Sequence, residues 1–240
     1  MNCSWYFGDA ADGLFSSPLA TDELKDRCNE LAQKLDLQTI ILLTQTHDTN
    51  GHVVNDTFLN STNHILGASG DFLITKYKNI GIGVLTADCL PIVIIDPLSD
   101  IVAVVHAGWR GTLAHIVIKA IEQLEQECNS DKTALQIYFG PAAGSCCYQI
   151  QPDFLQTETG EQDEKEKRKQ KQLLASCVHK REQKLFFDII AYNKQLLLAY
   201  GIAEDQINTN NHYCTICNKQ YCSYRRDATI KRQITLAWIQ

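Results

Sequence analysis

Residues 80–106 read IGIGVLTADCLPIVIIDPLSDIVAVVH. Three apolar runs stand out: Ile80–Leu85, Pro91–Ile95 and Ile101–His106. Each has the length of a strand, and short polar breaks separate them. A strand with one wet face alternates apolar and polar residues. These runs do not alternate, so they predict strands buried on both faces. Moving outward, Phe72–Thr75 and the β-branched Thr39–Leu43 read as further strands. A helix is expected from Thr112, with Leu113, Ile116, Val117, Ala120, Ile121 and Leu124 on its apolar face. Leu135–Phe139 reads as a strand that ends at Gly140-Pro141. Thr21 is expected to cap a helix whose first turn holds Asp22 and Glu23 and whose apolar face is Leu24, Cys28, Leu31 and Leu35. Asn50–Ser69, rich in Asn, Thr, Ser and Gly, reads mostly as loop. A helix at Ile189–Tyr200 and strands near Gln206–Thr209 and Gln233–Ile239 complete the pattern. With no internal repeat and no clear linker, the expected fold is mixed α/β (α+β): one domain over 1–240, with mixed β-sheets covered by helices.

Bulk properties narrow the function. The chain has 240 residues, 45% hydrophobic and 21% charged, which is globular rather than disordered. Its net charge of −6 opposes binding to nucleic acid or an anionic membrane through bulk charge. No apolar run approaches the ~20 residues needed to span a bilayer. The first residues, Met-Asn-Cys-Ser-Trp-Tyr-Phe, lack the basic and apolar regions of a signal peptide, so a cytoplasmic address is expected. The ten cysteines are then expected as free thiols or metal ligands rather than disulfides. Glu158–Lys171 is almost wholly Glu, Lys, Gln and Arg and is read, over about 158–172, as a charged surface insertion.

Reactive side chains concentrate in three places. Thr44-Gln-Thr-His47 follows a strand, Thr86-Ala-Asp-Cys-Leu-Pro91 joins two strands, and His106-Ala-Gly-Trp-Arg-Gly-Thr112 joins a strand to a helix. Strand ends leading into turns are where sheets place their ligands. His47, Cys89 and His106 are suitable zinc donors, and three protein ligands leave an open position, as catalytic sites require. Taken singly, each is more often a packed structural residue than a ligand, and spacing alone does not show that they converge.

The motifs Gly70-Asp-Phe-Leu-Ile-Thr75, Thr86-Ala-Asp-Cys-Leu-Pro91, His106-Ala-Gly-Trp-Arg-Gly-Thr112, Gly140-Pro-Ala-Ala-Gly-Ser-Cys-Cys-Tyr148 and Ser223-Tyr-Arg-Arg-Asp227 occur in order. By these motifs, from about Gln45 to the C-terminus, the chain resembles the YfiH/laccase-domain family, also described as polyphenol oxidase or purine nucleoside phosphorylase-like. The resemblance implies a zinc triad of His47, Cys89 and His106. It also implies action on purine nucleosides with phosphate: phosphorolysis of inosine, guanosine, adenosine and methylthioadenosine, and deamination of adenosine. Departures from the family pattern are Asp26-Arg27, where the family has Asn-Arg, and Lys231-Arg232, where it has Gly-Arg. Cys147 is implied to pack near the site.

Several residues receive roles by chemistry. Arg110, before a helix N-terminus, suits a phosphate. Arg225 and Arg226 are adjacent, so on a strand only one would reach a given pocket. Asp88 could orient a ligand as a hydrogen-bonded carboxylate. His52, His64 and His115 are expected to be incidental. His212, Cys214, Cys217 and Cys222 crowd around a C-x-x-C that could hold a structural zinc, although apolar packing is the expected role for Cys222. The lowered pKa of a zinc-bound water suits deamination, and arginine-held phosphate suits phosphorolysis. Copper is the alternative metal, since two His and one Cys are a copper donor set. A multicopper cluster, however, wants many histidines in H-x-H pairs, and this chain has seven histidines and no such pair. A Cys-dependent hydrolase editing cell-wall precursors, with Cys89 or Cys147 as nucleophile, is the third reading.

Overall fold

The computed structural model describes residues 2–12, 15–16, 21–61, 64–157 and 164–240. Two six-stranded sheets dominate. The first runs Cys3–Phe7, Lys231–Ile239, Ile80–Thr86, Thr39–Thr44, Ile65–Ser69, with Phe15–Ser16 also on Lys231–Ile239. The second runs Ile207–Asn208, Gln136–Phe139, Leu90–Asp96, Ile101–Ala107, Phe72–Thr75, Gly51–Val53.

The continuous apolar runs are explained by how the sheets stack. Ile41, Ile82, Val84 and Ala237 of the first sheet pack against Leu73, Val93, Ile95, Val102 and Val104 of the second. Behind the first sheet, Ile40, Leu42, Leu236 and Trp238 meet Leu24, Cys28 and Leu31 of the helix Thr21–Lys34. Behind the second, Ile92, Ile94, Ala103 and Val105 meet the helices Ile116–Cys128 and Ile189–Tyr200. The order is helix, sheet, sheet, helix, so every central strand is dry on both faces, as its sequence requires. The mixed α/β fold with helix-covered sheets is as expected.

Several elements differ from the sequence reading. Asn50–Ser69 is not mostly loop. It holds the strands Gly51–Val53 and Ile65–Ser69 and the helix Asp56–Ser61. Both strands lie at sheet edges, where backbone pairing needs little apolar side chain. The helix expected from Thr112 is two, Trp109–Leu113 and Ile116–Cys128, broken where His115 is left-handed at φ 63°. The strand Cys3–Phe7 and the hairpin Val178–Arg181 with Lys184–Phe187 were not anticipated. Of the charged segment, Glu164–Ser176 is a helix, while 158–163 lies outside the described residues. Among the described residues, no helix is long and apolar enough to cross a membrane.

One topological fact positions everything that follows. The chain passes from the first sheet to the second three times through short segments. It does so between Thr44 and Gly51, between Ser69 and Phe72, and between Thr86 and Leu90. His47, Asp71 and Cys89 sit in these crossings.

Candidate metal centre and adjoining cavity

The donor atoms of His47, Cys89 and His106 all lie within 4.8 Å of one another. The Cys89 Sγ is 3.9 Å from His47 Nε2, and the two imidazoles meet edge to face at 4.7 Å. His106 is fully buried on the strand Ile101–Ala107, Cys89 is half-buried and His47 is exposed.

A single carboxylate organises the cluster. Asp71 is fully buried. Its Oδ1 accepts from His106 Nδ1 at 2.7 Å and from the His47 N–H at 3.0 Å. Its Oδ2 accepts from the N–H groups of Thr46 and Asp48 at 3.1 and 3.0 Å and from the Thr46 hydroxyl at 2.9 Å. Three consecutive N–H groups on one carboxylate hold His47 in its left-handed conformation, φ 62°. The bond to Nδ1 puts the His106 proton there and leaves Nε2 as the lone-pair donor. Burial would raise the Asp71 pKa, but the bonded and charged His106 and the N–H groups of Asp48 and His47 overcome it and hold the carboxyl far below its usual range. Burial likewise opposes charge on the ligands. Even so, the His106 and His47 imidazoles bring Cys89 down to about 6, and the Cys89 thiolate and Asp71 push His106 up to about 9. The cluster is therefore a ready source of thiolate.

The donor set fits a metal. Cys, His and His with one open position is a zinc arrangement, and the second imidazole nitrogen of His106 is fixed by a carboxylate as metal-binding histidines require. Gly108 supplies a further fit. A Cβ there would lie 3.0 Å from His47 Cδ2, 3.3 Å from Cys89 Sγ and 3.7 Å from His106 Cε1. Its backbone, φ −66° and ψ 166°, is one that alanine adopts freely. Gly108→Ala therefore presses on the ligands without straining the chain. Its zinc affinity is expected to fall about tenfold or more, a loss typical of disturbed ligand support, while the fold is retained. Chelator competition checks this, and wild-type affinity in the variant would refute it.

A cavity of about 510 Å³ opens beside the triad. Arg110, Arg225 and Arg232 line it, together with Trp109, Tyr148 and Tyr224 and an apolar wall that includes Leu43, Leu66 and Leu85. The Arg110 guanidinium lies 4.3 Å from the Trp109 ring centre and that of Arg225 lies 5.1 Å from the Tyr148 ring centre. Gln45 stitches the rim by exchanging two 2.8 Å bonds with the Leu85 backbone.

Other candidates fall elsewhere. Asp88 does not touch a ligand. It is left-handed, φ 87°, and its carboxylate accepts from the Thr215 hydroxyl and the Arg225 N–H, each at 2.7 Å. The orienting carboxylate is Asp71, which the sequence reading did not single out; its signal was a Gly-Asp pair directly before a buried strand. Arg225 and Arg226 lie on the short helix Tyr224–Asp227 rather than a strand. Arg226 does not line the cavity: its guanidinium donates to the carbonyls of Thr215, Ile216, Asn218 and Tyr221 and pairs with Asp227. Arg27 pairs with Glu30 on an outer helix, whereas Arg232 reaches the cavity. His52 bonds the Ser69 carbonyl, and His64 bonds Thr39 and the Leu59 carbonyl. The thiol of Cys147 belongs to a separate group of four, with Cys146, Cys214 and Cys217.

A family model described as multi-copper polyphenol oxidoreductase laccase matches residues 20–240. The chain belongs to this laccase-like family. Among its relatives, a purine nucleoside phosphorylase of Aquifex aeolicus is 36% identical over 69% of each chain. A purine nucleoside phosphorylase of Clostridium acetobutylicum is 31% identical over 93% of this chain and 86% of its own length. An adenosine deaminase from an unknown prokaryote is 30% identical over 80% of this chain and 71% of its own. The laccase-like fold is seen in YfiH of Bacillus licheniformis, with a TM-score of 0.79 at 23% identity over 99% of this chain and 93% of that one.

Proposed function

We infer that this protein is a zinc-dependent purine nucleoside phosphorylase that also deaminates adenosine, with inosine, guanosine, adenosine and methylthioadenosine as substrates. One observation carries the reading: the Cys–His–His donors open onto a cavity lined by three arginines and three aromatic rings. That volume suits a small ligand such as a nucleoside. The relatives' names agree with the reading.

The residues divide the work. His47, Cys89 and His106 would hold zinc, which when bound supplies Lewis acidity at the pocket floor. Asp71 keeps the His106 proton on Nδ1. Arg110, Arg225 and Arg232 form a cationic wall that holds phosphate and steadies negative charge as the glycosidic bond breaks. Trp109, Tyr148 and Tyr224 offer flat apolar faces to a purine, and Leu43, Leu66 and Leu85 keep water away from it.

Chromatography of a nucleoside panel, with and without phosphate, on protein of known zinc content tests this. The expected result is free base and ribose 1-phosphate only when phosphate is present, and inosine from adenosine without it. Zinc-loaded protein that binds nucleosides and leaves them intact would overturn the reading. The family description favours copper as a second reading. Oxygen uptake with a phenol in copper-loaded but not zinc-loaded protein would support it.

A further inference from the structure

The structure gathers four thiols that sequence distance hides. Cys146 and Cys147 lie in the turn after the strand Gln136–Phe139, and Cys214 and Cys217 lie in the turn after Ile207–Asn208. Their Sγ atoms all lie within 4.8 Å of one another, and all four cysteines are free. The Cys146 and Cys217 sulfurs are 3.9 Å apart. The C-x-x-C supplies Cys214 and Cys217, but its sequence neighbours His212 and Cys222 are not part of the group.

We propose that Cys146, Cys147, Cys214 and Cys217 form a second metal site, a structural tetrathiolate zinc site distinct from the triad. The spacing fits one ion. Tetrahedral zinc with Zn–S bonds of about 2.3 Å holds its sulfurs roughly 3.8 Å apart, so these thiols need to close by less than about 1 Å. A polynuclear iron–sulfur core would place sulfides between the thiolates and hold them further apart. Soft, all-sulfur tetrahedral sites select zinc among the common divalent ions.

The backbone around the thiols is built for this approach. Ala142 and the 213–215 segment exchange two hydrogen bonds, Ala142 N to the Tyr213 carbonyl and Thr215 N to the Ala142 carbonyl, at 3.1 and 3.0 Å. These bring the two turns side by side. At Gly144 a Cβ would come within 3.0 Å of Cys214 Cβ, 3.3 Å of Cys146 Sγ and 3.4 Å of Cys214 Sγ. A side chain here would crowd the thiols, and the Gly144 N–H donates to Cys214 Sγ at 3.3 Å. N–H groups aimed at sulfur favour thiolate. The Arg181 guanidinium donates to the Ser145 carbonyl and brings positive charge beside the group. On binding, four thiols release their protons to solvent and Zn²⁺ becomes a dianionic tetrathiolate.

The site would pin the wall of the nucleoside pocket. The Ala143 N–H donates to the Asp88 carbonyl at 2.9 Å, and Thr215 donates to the Asp88 side chain. Both cysteine turns are thus fastened to the turn that carries Cys89, and Asp88 in turn holds the Arg225 backbone.

Zinc per chain separates this proposal from the triad reading. Protein grown with zinc should hold two ions, the Cys89→Ala variant one, and the Cys146→Ser/Cys217→Ser variant one. X-ray absorption on Cys89→Ala should show its remaining zinc bound by four sulfurs at about 2.3 Å, which needs no change to the four thiols. A zinc-free Cys89→Ala, nitrogen or oxygen ligands on its zinc, or a disulfide within the group in freshly purified protein would overturn the proposal. Cys89→Ala that keeps two zincs would instead overturn the triad while leaving the tetrathiolate in place.

Discussion

Cys89→Ala is expected to cost one zinc per chain and to lower kcat/KM for inosine phosphorolysis by about three orders of magnitude or more. The size follows from what the thiolate does. As a thiolate it is the only anionic group among the three donors. Without it, two imidazoles remain to hold a dication. A bound metal contributes several kcal/mol to charge stabilisation in a transition state, and each 1.36 kcal/mol is about tenfold in rate. The fold should survive, because Cys89 is only half-buried at a turn whose shape is set by Asp88 rather than by sulfur. Metal analysis and turnover are measured on one preparation. Retention of both the zinc and the activity would sink the triad reading.

Asp71→Asn is expected to damage stability and metal binding together. Five donors converge on the two oxygens of Asp71. Asparagine keeps one acceptor and turns the other oxygen into an NH₂ that faces N–H groups. It can satisfy the Thr46–Asp48 turn or His106, but not both. Breaking a buried charged pair costs about 3–5 kcal/mol, and loss of a carboxylate behind a ligating histidine weakens metal affinity about 10- to 100-fold. The pH dependence follows from the depressed Asp71 pKa. The carboxylate's contribution is complete above its unfolded pKa of about 4 and is withdrawn as pH falls below that toward the folded value. The wild type should therefore lose its advantage over Asp71→Asn in acid. Denaturant unfolding at neutral pH and across the acid range measures the difference. Equal stability of the two proteins at pH 7 would refute the assignment of Asp71.

The sequence made some of this legible and hid the rest for physical reasons. The strands around residue 93 are dry on both faces, so their composition announces them. Edge strands such as Gly51–Val53 pair by backbone alone and leave little composition to read. The three donors of the triad could be picked out by type and by motif, but each had a blander reading until the crossings brought them together. Asp71 was inside a quoted motif yet passed over, because nothing in a Gly-Asp pair says which N–H groups will surround it. Asp88, next to the cysteine, was chosen by adjacency, and the fold turns it the other way. The same bias toward near neighbours grouped Cys214 and Cys217 with His212 and Cys222. Their actual companions, Cys146 and Cys147, lie about seventy residues upstream.

The short crossings between the sheets carry a consequence for how the gene can be edited. Surface loops ordinarily accept spliced-in peptides with little harm. Here Gly70 and Asp71 alone join one layer to the other, and Ala87, Asp88 and Cys89 do the same one crossing later. An added residue at either point would have to push the two layers apart or unpair a strand end, so an epitope tag or reporter inserted there would unmake the protein. The hairpin around Leu98, whose side chain is 80% exposed and whose strands stay within one layer, is the place to put it.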